Sequence, residues 1–146
     1  MAVAGLIAWL VTALGGFVLL ARYVSSGGIA QQQAGTTRFP RGLIFGHFGL
    51  AVTGLVVWIL YLATDASALA WVALALLAGI AALGFTMFAR WVQPAGRPAG
   101  AGTAAGTAAA PAESALPTPV VYLHGVLAVA TVVLVLLAAL GVGDAS

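Results

Sequence analysis

The chain has no cysteine and no lysine, only two histidines, and just five arginines against three acidic residues over its 146 positions. Without cysteine there can be no disulfide, thiolate metal site, iron–sulfur cluster or cysteine nucleophile. The arginines are dispersed as Arg22, Arg38, Arg41, Arg90 and Arg97, and five scattered cations are too few for a nucleic-acid surface. The carboxylates Asp65, Glu113 and Asp144 stand far apart, and no Ser-His-Asp set, HExxH or glycine-rich phosphate loop is present, so cofactor-free catalysis has no support. What chemistry there is must come from histidine, a few charges, hydroxyls or a cofactor.

In place of charge the chain has apolar runs. It is 63% hydrophobic and 5% charged, with a mean hydropathy of +1.15, too little polar surface to coat a water-soluble globule. A bilayer is its expected solvent. A helix needs about 20 apolar residues, at about 1.5 Å each, to cross about 30 Å of hydrocarbon. Four segments qualify, at residues 3–23, 42–63, 69–92 and 120–142. The first competes with a removable signal peptide, but no basic residue precedes it, no small-residue cleavage site follows, and arginine comes after it, which favours a retained helix. Residues 25–41 read as a polar loop ending at Pro40, a residue acceptable in a first helical turn, and 64–67 as a tight turn. Residues 93–119 are an Ala, Gly, Pro and Thr-rich tract expected to form a flexible cytoplasmic linker. Trp58, Tyr61, Trp71 and Trp91 lie near span ends, where amphipathic rings favour the interface. The expected fold is an all-α, single-domain, four-helix membrane bundle.

The arginines set the orientation. All five fall on the side that receives the end of the first span, both long connections and the end of the third, whereas Asp65 and Asp144 fall on the other. The positive-inside rule makes the long loops cytoplasmic and puts both termini outside, in a bacterial plasma membrane.

The chain also repeats itself. Pro40, His47 and the run Leu50, Ala51, Val52 align with Pro117, His124 and Leu127, Ala128, Val129, a shift of 77 positions. Gly16, Phe17 and Arg22 align with Gly84, Phe85 and Arg90, a shift of 68. The difference is absorbed by the longer second loop. The pattern reads as a duplicated helical hairpin, both copies in the same orientation about a pseudo-two-fold axis along the membrane normal. Resemblance between two Ala, Leu and Val-rich helices is the competing reading, and the matched proline, histidine and arginine landmarks argue against it.

His47 and His124 are then at equal depth, about 5–10 Å inside the cytoplasmic boundary, and ionisable residues inside a membrane point to function. Two imidazoles about a two-fold axis offer opposed nitrogens for the axial positions of one haem iron. Leu50, Ala51 and Gly54, with Leu127, Ala128 and Thr131, share the histidine faces, and Gly46, Gly49 and Gly125 thin the neighbouring surface. Small residues of this kind admit a porphyrin, and equally let helices pack closely. Arg22 and Arg90, ending the first and third spans on the histidine side, are candidate partners for haem propionates, though topology alone also places arginine there. With both axial positions filled, electron transfer is the expected role.

On His47, His124 and these arginines the chain resembles small four-helix b-type cytochrome membrane subunits, in which histidines on neighbouring helices hold haem. The resemblance spans the four helices. It implies haem b, with a quinone or a redox-enzyme partner in a larger membrane complex. It departs from the di-haem members in lacking a second histidine pair, so electron transfer across the whole bilayer is not implied. Two other readings stay open. In one, the histidines only hydrogen-bond to each other, to Thr53 or Thr131, or to backbone carbonyls, in an accessory subunit. In the other they belong to a metal or proton path, for which two histidines without a buried carboxylate are an incomplete set.

Overall fold

The computed structural model describes residues 1–93 and 110–143. Their regular structure is helical throughout: α1 (Ala2–Ser25), α2 (Gly28–Ala34), α3 (Arg41–Thr64), α4 (Ser67–Val92), a 3₁₀ turn (Ala112–Ala115) and α5 (Thr118–Ala139). α1, α3, α4 and α5 are long and apolar enough to cross a membrane. They match the four expected spans, with ends that differ by at most three residues.

The largest difference is in α5, which starts two residues early and stops three residues early. Pro119 lies in its first turn, where a missing N–H costs no helical bond, and Gly141 and Gly143 take left-handed φ values of 72° and 84° that end it. A second difference is α2, inside the stretch expected to be a polar loop. Seven residues are too few for a helix to persist on propensity alone. The chain holds this one through its glutamines: Gln32 donates to the Phe39 carbonyl at 3.0 Å, and Gln31 donates to the Ala110 carbonyl at 3.0 Å while accepting from the Ala112 N–H at 2.8 Å. Gly35, at φ 68°, terminates it. A third difference lies in the expected linker. Residues 94–109, including Arg97, are outside the described set, as is Asp144, but residues 110–117 pack against the α1 end through Ala112 and Glu113, both buried.

α3 and α4 are joined by two residues, with Asp65 in the left-handed region at φ 55°, and pack side by side. α1 packs chiefly on α5, α4 also meets α5, and α1 meets α3 more thinly. The helices therefore close a ring in the order α1, α5, α4, α3. Away from the arginines its core is built by glycines that admit indoles, since lipid supplies no hydrophobic drive between helices and close approach must do so instead. Trp58 and Tyr61 do not lie at the interface as expected. Trp58 is fully buried, stacked on Tyr61 at 4.8 Å, and fits because Gly5 faces it: a Cβ there would come within 3.2 Å of the indole. Trp9 fits in the same way against Gly54, where a Cβ would come within 2.9 Å of its ring.

A methyl group at Gly54 should therefore destabilise the fold by about 1–3 kcal/mol, as overpacking does. Thermal unfolding in detergent should show Gly54→Ala well below wild type. Gly49→Ala should match wild type, because nothing lies within 4 Å of that position.

Candidate functional site

Histidine in an apolar helix must find an acceptor for its N–H inside the protein. Both histidines do so in the same way. His47, in the second turn of α3, directs Nδ1 at the carbonyl of Ile80 on α4, at 3.0 Å. His124, in the second turn of α5, directs Nδ1 at the carbonyl of Thr12 on α1, at 2.9 Å. A carbonyl only accepts, so each Nδ1 carries a proton, and in the neutral imidazole Nε2 keeps its lone pair.

Each of those carbonyls already takes the helical N–H of the residue four positions on. Those residues are Gly84 and Gly16. A Cβ on Gly84 would come within 3.1 Å of the His47 ring, and one on Gly16 within 3.2 Å of the His124 ring. Glycine thus opens the notch through which each imidazole reaches the second lone pair of the carbonyl. The carbonyl residues, Thr12 and Ile80, are 68 positions apart, as are the two glycines.

The two rings meet edge-on inside the bundle, with centroids 6.3 Å apart and planes inclined by 60°. Two metal–imidazole bonds of about 2.0 Å, with about 1.1 Å from each nitrogen to its ring centre, would separate the centroids of a collinear pair by about 6.2 Å. Around the rings is an apolar-walled cavity of about 830 Å³, lined along α3 from Ile44 to Ile59 and along α4 from Leu77 to Trp91. That volume lies in the range of small-molecule and cofactor pockets. Among its few polar atoms are the hydroxyls of Thr12 and Thr131, 3.1 Å apart, which also donate to the Ala8 and Leu127 carbonyls of their own helices. Among the described residues no group of three or more His, Asp or Glu could hold a metal ion.

Arg22 and Arg90 are not brought to the histidines. Each is exposed in the last turn of its helix, ten residues and so about 15 Å beyond the carbonyl that holds a histidine. Arg90 donates to the Arg38 carbonyl at 3.1 Å. Among the described residues the arginine that forms an ion pair is Arg38, and its partner is Glu113. Glu113 Oε1 accepts from the Arg38 side chain at 2.9 Å and from its N–H at 3.1 Å, and Oε2 accepts from the Thr37 hydroxyl at 2.9 Å. Thr37 in turn accepts from Tyr23 at 3.1 Å, and Arg38 also reaches the Gln93 carbonyl. This clasp pins Phe39 and Leu116, which line the arginine end of the cavity. Glu113 is 0% exposed, and burial by itself would raise its pKa. The hydrogen bonds from Arg38 and Thr37 prevail and hold it below the ordinary carboxylate value.

No family model, curated protein or solved structure matches the chain.

Two outcomes follow from this geometry. Gly84→Ala should displace the His47 ring and abolish its hydrogen-bonded Nδ1–H resonance in imidazole-nitrogen NMR. Gly42→Ala, at an open position, should leave that resonance unchanged. At the clasp, the depressed pKa of Glu113 means that its contribution is present above the ordinary carboxylate pKa and is lost as pH falls through the lower, folded value. Glu113→Gln should cost about 1–3 kcal/mol near neutrality and flatten the acid limb of stability against pH, both read from detergent unfolding.

Proposed function

We propose that the chain is a multi-pass protein of a bacterial plasma membrane that binds one haem b, with His47 and His124 as axial ligands, and that its role is electron transfer. The observation that carries this reading is the matched pair of Nδ1–H to carbonyl bonds. Metal-bound histidines characteristically donate their other ring nitrogen to a carbonyl or carboxylate, which fixes the tautomer and raises the basicity of the ligating nitrogen. Here both rings have Nδ1 against a carbonyl, with centroids 6.3 Å apart, beside an apolar cavity of cofactor size.

When bound, such a group supplies reversible one-electron chemistry. The protein's part is to orient both imidazoles through the Ile80 and Thr12 carbonyls and to surround them with apolar walls. Filling both axial positions leaves no coordination site for substrate, which is why electron transfer is favoured over catalysis at the metal. Arg22 and Arg90 stand at the same end of the bundle as the histidines but do not line the cavity, so nothing in the geometry supports a propionate role for them. The long connections are assigned to the cytoplasm and the termini to the outside. A quinone or a redox enzyme would be the electron partner.

The matched spacings support a duplicated hairpin. Besides the landmarks in the sequence, the carbonyl and glycine that receive each histidine stand at the same 68-residue interval as Arg22 and Arg90. The ring of helices has the corresponding symmetry, α1 on α5 answering α4 on α3.

A second reading, an accessory subunit whose histidines only pack, is favoured by one observation: each imidazole already has a hydrogen-bond partner and meets the other edge-on. An absorption spectrum separates the two. Protein purified from haem-replete cells should show sharp reduced α and β bands, abolished by His47→Ala and by His124→Ala with membrane insertion intact. A band that survives either single substitution would rule out bis-histidine ligation, and a colourless, folded wild type would favour the accessory subunit.

A further inference from the structure

The two histidines make the same bond but are not seated alike. A shift of 68 positions pairs Thr12 with Ile80 and Gly15 with Leu83, and a shift of 77 pairs Gly54 with Thr131. His124 lies over two glycines: a Cβ on Gly15 would come within 3.5 Å of its Nδ1, and one on Gly16 within 3.2 Å of its ring. His47 lies over Gly84, and in place of a second glycine stands Leu83, whose side chain packs on α3 beside Gly46, the residue before His47. With no side chain on that side of its seat, the position of the His124 ring depends on where α5 sits along α1.

Thr12 decides that placement. Its carbonyl accepts from His124 Nδ1 at 2.9 Å, and its hydroxyl meets that of Thr131 at 3.1 Å. Thr131 follows His124 by seven residues, so it lies on the same face of α5, about 10 Å deeper. Each hydroxyl has one proton and a carbonyl of its own helix at 2.8 Å, so one proton bridges the pair while the other stays with its helix. Thr131 is 1% exposed, and in an apolar interior such a bond is strengthened. One residue of α1 is thereby joined to two points on α5, and α5 cannot slide or turn without losing one of them. The other half has no second polar point. Ile80 gives its carbonyl to His47 at 3.0 Å, but its side chain meets α3 at Gly54 by van der Waals contact alone, beside the Trp9 ring.

We infer that Thr12 and Thr131 are positioning residues for His124 and not for His47, and that through the Nδ1 bond they set how strongly His124 donates to a metal. The second part rests on the haem reading above. A hydrogen bond from the far ring nitrogen raises the basicity of a ligating imidazole, so loosening it at one histidine makes that ligand the poorer donor and favours the reduced metal.

The test uses the full chain, labelled at the imidazole nitrogens, in phosphatidylcholine nanodiscs and first without haem. His47→Gln and His124→Gln assign the two Nδ1–H resonances by removing one each. The double variant Thr12→Val, Thr131→Val keeps side-chain shape, and removing both partners of a hydrogen bond together is nearly neutral to stability. It should shift or abolish the His124 resonance and leave that of His47 in place. Thr131→Val alone should do the same, whereas Thr131→Ser, which retains the hydroxyl, should give the wild-type spectrum. An unchanged His124 resonance in the double variant would overturn the proposal. So would equal changes at both histidines, or a double variant that does not fold, since the hydroxyls would then serve the bundle rather than one ring. After loading with haemin, the double variant should have a midpoint potential above that of the wild type, and equal potentials would remove the tuning of the ligand. A wild type that takes up no haemin would overturn the haem reading itself, and the resonances of the haem-free protein would still decide whether the threonines position His124.

Discussion

The bond from an imidazole N–H to a helix carbonyl is the constraint around which this chain is arranged. Hydrocarbon offers no acceptor, and the helices have already used one lone pair of every interior carbonyl for their own ladders. A ring from a neighbouring helix reaches the second lone pair here because the residue four positions on has no side chain. That requirement puts glycine four residues after Thr12 and after Ile80, and fixes which helix faces which. α5 must lie on α1, and α3 on α4, for either histidine to be satisfied.

A consequence is that the most extensively packed helix pairs are not the pairs that a duplicated hairpin would copy. α1 with α3, and α4 with α5, would be the two copied hairpins, yet the more extensive contacts join α3 to α4 and α1 to α5. Each histidine is thus held by a helix of the opposite half. On the duplication reading, the site would be an interface between two copies of a two-helix unit, with neither half able to fix a histidine ring alone. The hydroxyl contact between Thr12 and Thr131 lies in the same α1–α5 seam. Its counterpart between α3 and α4 is Ile80 with Gly54, which carry no hydroxyls and where Trp9 enters instead.

The four spans were legible because length and hydropathy suffice to find them, and the histidine pair because two ionisable residues in matched positions stand out against an apolar chain. The receiving carbonyls were not, since a backbone oxygen has no residue signature. The Gly16–Phe17 and Gly84–Phe85 match was visible, but its meaning depends on knowing that α5 rather than α3 lies over Gly16. Trp58 and Tyr61 were misplaced because aromatic residues near span ends fit the interface and the core equally well, and Gly5, which decides the matter for Trp58, is 53 positions away. Glu113 was hidden by its surroundings. A lone acid in an Ala, Gly and Pro-rich tract reads as solvated, whereas Arg38 and Thr37 give it three donated hydrogen bonds and draw the tract onto the loop.

The pairing of α1 with α5 also governs when the site can exist. Synthesis at about 5–20 residues per second separates the end of α1 from the start of α5 by roughly 5 to 20 s. During that interval α1 lacks its principal neighbour, while α3 and α4, joined by a short turn, can already pair. The Thr12 carbonyl receives His124 only after the last span is inserted. The two imidazoles therefore come together only after α5 has been made, later than α3 and α4 can pair.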